Sequence, residues 1–204
     1  MSEIYALSDD ALTPPQTIFS QIDEILRCGV KLVQYRSKLA AQDETLIRSL
    51  IGLCEDYGAK LIINDDAALA KKLGAHGVHI GKDDGEMAQV REFLGTDKIV
   101  GASCYADLAR AQKAEAQGAS YVAFGSLRRG KTKPDAPLCP DALVQEARKF
   151  LNLPIAVIGG INLENLDEIL ALKPDYIAMV EAIYKPASIT QNLTNLKEKM
   201  DEYI

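Results

Sequence analysis

Short apolar runs recur along the chain, and each gives way to a polar cluster at the same relative point. Leu32-Val33 runs into Gln34, Arg36 and Lys38, and Leu61-Ile62-Ile63 into Asn64-Asp65-Asp66. Val78-His79-Ile80 runs into Gly81-Lys82-Asp83-Asp84, and Ile99-Val100-Gly101-Ala102 ends at Ser103. Val122-Ala123-Phe124 stops at Gly125-Ser126, and Ile155-Ala156-Val157-Ile158 at Gly159-Gly160. Runs this short and this rich in Ile and Val predict strands buried on both faces. Eight are expected, over 4–8, 31–36, 60–64, 77–80, 98–103, 121–125, 154–159 and 175–180.

Helical periodicity fills the gaps. Asp43 is placed to cap a helix carrying Leu46, Ile47, Leu50, Leu53, Cys54 and Tyr57 at three-to-four spacing. Pro140 suits the first turn of a later crossover, ahead of Leu143, Val144, Ala147 and Phe150. Gly58-Ala59, Gly74-Ala75 and Gly118-Ala119 each stand where a helical pattern meets a strand, a weak repeat of one βα unit. Strict alternation predicts a (β/α)8 TIM barrel in which every polar cluster lands on one rim. A doubly wound open sheet is the rival, but no GxGxxG follows the first strand.

The 204 residues sit near the lower limit for such a barrel and predict one domain over 1–204. A net charge of −6 argues against nucleic-acid and acidic-membrane partners, although a few aimed cations still suffice for a small anion. Cys28, Cys54, Cys104 and Cys139 show no CxxC spacing and read as thiols in a reducing cytosol. Met1-Ser2-Glu3 opens no signal segment, and no apolar run approaches the ~20 residues of a membrane span. A cytoplasmic protein is expected.

Gln34, Arg36 and Lys38 are spaced by two, so an extended segment points all three, with Leu32, into the barrel and its mouth. Such an arginine serves either an internal carboxylate pair or a phosphate or pyrophosphate fork. Asp65 and Asp84 follow neighbouring strands. Two carboxylates 4 Å apart repel by ~4 kcal/mol at an effective dielectric near 20, so a cation is expected between them. Mg2+ suits an all-oxygen donor set that shares substrate phosphates. Asp66 is read as the cap of the next helix, and Asp83 as a solvated charge. Gly159-Gly160 after strand seven, with Val180-Glu181-Ala182 after strand eight, fits a backbone phosphate cradle. His76 and His79 lack a local Ser, Cys or carboxylate partner and read as structural.

The ordered set resembles the thiamine-phosphate synthase family. The matching stretches are Gln34-Tyr35-Arg36-Ser37-Lys38, Asn64-Asp65-Asp66, Gly77-Val78-His79-Ile80-Gly81-Lys82-Asp83-Asp84, Gly101-Ala102-Ser103, Tyr121-Val122-Ala123-Phe124-Gly125, Thr132-Lys133 and Ile158-Gly159-Gly160-Ile161. The resemblance implies a transferase that joins 4-amino-2-methyl-5-hydroxymethylpyrimidine diphosphate to a thiazole phosphate, releasing pyrophosphate dissociatively. It also implies that Asp65 and Asp84 hold Mg2+, and that Arg36, Lys38, Asn64 and Lys133 grip pyrophosphate. Gln34 would face the pyrimidine diphosphate, and Ser103 would lie beside the reacting pyrimidine. Ser103, Lys133 and Arg36 would serve catalysis. Gly160, Val180 and Glu181 would take the thiazole phosphate, with Thr132 at the junction of the two substrates.

Two positions depart from the family pattern. Gly130 lacks an expected hydroxyl, in a loop that either offers Arg128, Arg129 and Lys131 as replacement cations for pyrophosphate or is rewired. Glu181 replaces a small residue, often Ser, beside the thiazole phosphate. Two alternatives are a thiazole tautomerase, whose histidine just after strand five is Tyr105 here, and a degenerate barrel that regulates by binding a phosphorylated metabolite. The last helix, over 188–203, suits either intramolecular packing or the edge of a homodimer.

Overall fold

A computed structural model of the chain describes residues 2–130 and 137–203. Lys131, Thr132 and Lys133 therefore lie outside the described residues. Strands β1 (Glu3–Leu7), β2 (Leu32–Tyr35), β3 (Lys60–Asn64) and β4 (Gly77–Ile80) come from the first half of the chain. The second half supplies β5 (Ile99–Tyr105), β6 (Tyr121–Gly125), β7 (Ile155–Ile158) and β8 (Tyr176–Met179). Each pairs in parallel with its sequence neighbour, and β8 pairs with β1, closing the barrel. Three of the expected strands, β3, β4 and β6, recur with the same bounds, and the others with ends displaced by one or two residues.

The helices form the outer ring. They are α1 (Ile18–Arg27), α2 (Glu44–Asp56), α3 (Ala67–Leu73), α4 (Met87–Leu94), α5 (Leu108–Ala116), α6 (Asp141–Phe150) and α7 (Leu166–Leu170). After β8 comes a four-residue helix, α8 (Glu181–Tyr184), which no helical period announced, and then α9 (Ile189–Glu202). Asp43 Oδ1 accepts the Leu46 N–H at 3.0 Å and Asp66 Oδ1 the Leu69 N–H at 2.8 Å, so both aspartates cap as read from the sequence. Losing such a cap costs ~1 kcal/mol. Leu193, Leu196 and Met200 of α9 are buried, and α9 packs on α1, α7 and α8 of its own chain. Among the described residues no helix is long and apolar enough to cross a membrane.

Period-two alternation divides the core in two. Val33, Ile63, Val78, Val100, Val122 and Val157 face the helices. Tyr5, Leu7, Leu32, Ile62, Tyr121, Ala123, Ala156 and Ala178 fill the barrel itself. Tyr5, Tyr121 and Tyr176 meet edge to face there, with ring centroids 5.9–6.4 Å apart. Rings that large fit because β5 carries Gly101 opposite them. A Cβ on Gly101 would stand 2.1 Å from Tyr121 Cζ.

Candidate active site

Gln34 is buried inside the barrel, continuing the inward face of Leu32, and its Nε2–H donates to the Tyr5 hydroxyl at 2.8 Å. Arg36 lies at the mouth, two residues on. Its backbone N–H donates to Ser8 Oγ at 2.7 Å, and the Ser8 hydroxyl donates back to the Arg36 carbonyl at 3.1 Å. That exchange ties the ends of β1 and β2. Among the described residues the Arg36 guanidinium has no carboxylate partner.

Lys38 reaches across to β3, where its Nζ donates to Asp65 Oδ2 at 2.7 Å. Asp65 sits at φ +65°, a left-handed turn that aspartate tolerates better than most side chains. Its N–H is held by the His79 carbonyl at 2.8 Å. The turn sends Asp65 to the mouth and Asp66 to the start of α3, so adjacent aspartates do different work. Asn64 extends the inward face of Ile62 to the rim.

Asp84 folds back so that its Oδ2 accepts the Gly81 N–H at 2.7 Å. Its carboxyl lies near enough to that of Asp65 for each to shift the other's ionisation. Burial pushes the Asp84 carboxyl up, and Asp65 beside it adds to the rise. Burial acts on Asp65 in the same sense, but the Lys38 ammonium and the neighbouring Asp84 carboxyl outweigh it and hold Asp65 below the usual range. The pair thus shares one rim with Arg36 and Lys38, and the carboxylates offer oxygen donors alone. Among the described residues no third His, Cys, Asp or Glu completes a larger metal cluster. Two carboxylates suit a divalent ion whose remaining ligands are substrate phosphates and water.

Ser103 closes the inward face of β5 just before a bulge, since Ser103 aligns with Ala123 but Tyr105 with Phe124. Bulges of this kind often re-aim a side chain beside an active site. The Ser103 hydroxyl lies 2.8 Å from His79 Nε2, and Tyr121 holds His79 Nδ1 at 2.8 Å. His79 therefore has a serine partner, which its sequence neighbourhood does not reveal. Strand alternation was the available signal: Val78 and Ile80 face helices, so His79 must face inward. His76, by contrast, accepts the Leu61 N–H on Nδ1 at 3.1 Å and is structural. Arg110 was also missed; it binds the carbonyls of Ser103 at 2.8 Å and Gly81 at 3.0 Å, clamping β5 to the loop after β4.

Burial lowers the His79 imidazole from 6.5 to about 4, with the Asp65 carboxylate opposing weakly. Between those values the unfolded chain binds a proton that the folded ring refuses. Stability is complete above pH 6.5 and falls by ~1.4 kcal/mol for each pH step toward about 4. Urea titrations at pH 7.5 and pH 5 are expected to show about 2 kcal/mol more acid loss in the wild type than in His79→Gln. Equal losses would mean the ring is protonated as easily folded as unfolded.

On the far side of the mouth, Gly160 sits at φ +60° against the carbonyls of Arg128 and Arg129, where a Cβ would approach both to 2.7 Å. Val180 and Glu181, half-buried, open α8 next to it. A Cβ on Gly130 would lie only 3.4 Å from the Gly160 nitrogen, so the missing hydroxyl belongs to this corner. Arg128 does not replace it. Its guanidinium grips Asp141 at 2.7 and 2.8 Å and Glu168 at 2.9 Å, which turns it toward α6 and α7, as the rewired alternative has it, and not toward pyrophosphate.

Comparison with known proteins places the chain among relatives. A family model described as TMP-TENI, thiamine monophosphate synthase, matches residues 4–183. The thiamine-phosphate synthase of Nitrosococcus oceani is 44% identical over 190 residues, covering 91% of this chain and 87% of the relative. That of Methylobacillus flagellatus is 44% identical over 185 residues, 88% of each chain. The structure of thiamine phosphate pyrophosphorylase from Pyrococcus furiosus superposes with a TM-score of 0.88 at 26% identity, covering 99% of this chain and 96% of that one. A 3-hexulose-6-phosphate synthase, at 19% identity and a TM-score of 0.74 over 96% of this chain and 98% of its own, shares the fold alone. The chain belongs to the thiamine monophosphate synthase family.

Proposed function

We propose that this chain joins 4-amino-2-methyl-5-hydroxymethylpyrimidine diphosphate to a thiazole phosphate, yielding thiamine phosphate and pyrophosphate, with Mg2+ as cofactor. The observation that carries this reading is the Asp65–Asp84 carboxylate pair at the barrel mouth, with Lys38 Nζ 2.7 Å from Asp65. The carbon–oxygen bond to pyrophosphate breaks with its electrons on oxygen, and the aminopyrimidine stabilises the methylene cation left behind. The thiazole nitrogen then donates its lone pair to that carbon. Such a reaction asks the protein mainly to neutralise and orient the leaving group.

Arg36, Lys38 and Asn64 line the mouth where pyrophosphate departs, and Lys133 and Thr132, outside the described residues, join them by resemblance. Mg2+ held by Asp65 and Asp84 would neutralise charge that builds on the leaving oxygens. Gln34 faces the pyrimidine diphosphate from below, and Ser103 lies beside the reacting carbon. Gly160 and the backbone at Val180 and Glu181 receive the thiazole phosphate. The test is direct: protein, Mg2+ and both substrates together should give thiamine phosphate and pyrophosphate. Retained ligand binding without product would instead favour a regulatory barrel.

Glu181 supplies a second test. A carboxylate facing the thiazole phosphate weakens it by like-charge repulsion. Glu181→Ser is then expected to lower the KM for thiazole phosphate several-fold. An unchanged KM would mean that the carboxylate is directed elsewhere.

A further inference from the structure

Beneath the mouth, five side chains from five strands form one buried string. Gln34 Nε2 lies 2.8 Å from the Tyr5 hydroxyl, which lies 2.9 Å from the Tyr121 hydroxyl. Tyr121 lies 2.8 Å from His79 Nδ1, and His79 Nε2 lies 2.8 Å from Ser103 Oγ. Tyr5, Tyr121, Gln34 and His79 are all buried, while Ser103 is half-exposed at the mouth.

The Gln34 end sets a direction. An amide NH2 donates and cannot accept, so Tyr5 oxygen accepts from Gln34. The Tyr5 proton then has the Tyr121 oxygen as its acceptor among the described residues. The Tyr121 proton in turn goes to His79 Nδ1. A neutral ring that accepts on Nδ1 carries its proton on Nε2 and donates it to Ser103. The Ser103 oxygen is thereby engaged as an acceptor, and its own proton is left to point into the mouth. Burial supports the string, because it keeps both tyrosines protonated.

We propose that this string is a polarised hydrogen-bond relay that fixes Ser103 as a donor toward the oxygens of the departing pyrophosphate. Tyr5, Tyr121 and His79 are then positioning residues, acting through Ser103. The inference rests on the proposed pyrophosphate departure at this mouth. A hydroxyl rotor left to itself spends part of its time donating elsewhere; the relay removes that choice before substrate arrives. Preorganised donors of this kind act where charge develops in the transition state.

The chain has two histidines, so its imidazole nitrogen spectrum is simple to assign. Long-range 1H–15N NMR of the substrate-free protein, with His79→Gln identifying the signal, should show His79 as the neutral ring protonated on Nε2. A ring protonated on Nδ1, or on both nitrogens, would overturn the relay, because Ser103 would then donate inward or lose its direction. Kinetics give the second arm. Tyr121→Phe should lower kcat about tenfold while the KM for the pyrimidine diphosphate stays within about threefold, and it should add little once Ser103→Ala is present. Full additivity of the two changes would overturn the coupling. The NMR result needs no turnover, so an inactive wild-type protein would fail the functional reading, whereas a ring protonated on Nδ1 would fail the relay.

Discussion

Asp84→Ala is expected to abolish turnover, with kcat/KM lower by about 1,000-fold or more, or ~4 kcal/mol of transition-state stabilisation. The loss has two sources that can be separated. Alanine removes one of the two carboxylates at the mouth, and it also releases the Gly81 N–H that Asp84 Oδ2 accepts at 2.7 Å. Asp84→Asn keeps an oxygen for Gly81 but halves the anionic charge of the pair. If charge and metal binding are what matter, Asn fails nearly as badly as Ala, and the Mg2+ concentration for half-maximal activity rises in any residual turnover. Lys38 sharpens the effect: its Nζ already neutralises Asp65, so Asp65 alone has little remaining pull on a divalent ion. Near-normal turnover in Asp84→Ala would refute the metal assignment.

Gly101→Ala is expected to be the most damaging small substitution in the fold. Overpacking a tight core costs about 1–3 kcal/mol, and this site belongs at or above the top of that range. The added Cβ would sit 2.1 Å from Tyr121 Cζ and 2.4 Å from its hydroxyl, and the ring cannot swing aside. Tyr5 and Tyr176 pack against it edge to face, His79 stacks on it at 5.5 Å, and its hydroxyl is bonded on both sides. Urea denaturation reads the loss. Tyr121→Leu in the same chain should cost much less than the sum of the single changes, because the clash partner is gone. Additive losses would place the damage in the β5 backbone instead.

The secondary structure was legible because its signals are local. Asp43 and Asp66 cap their helices through a bond three residues away, and Ile-Val runs bounded by helical periods read as strands with no knowledge of what they pair with. The rim position of Asp65 and Asp84 was legible for a similar reason, since a parallel barrel puts every strand end on the same side. The helix α8 was not, because four residues carry too little periodicity to separate helix from loop.

By itself, the sequence determined the alternation of strand and helix, the inward face of each strand and the rim on which the charged residues gather. These follow from steric periods of two and 3.6 residues and from the handedness of parallel crossovers. Tertiary structure alone decided which side chains meet. Arg128 reads as one more cation for an anion until Asp141 and Glu168, 13 and 40 residues away, claim it. His79 reads as an isolated core histidine until closure of the ring brings Ser103 to it across 24 residues and Tyr121 across 42. Side-chain partnership depends on register and closure, which are properties of the whole sheet, and no window of the chain contains them.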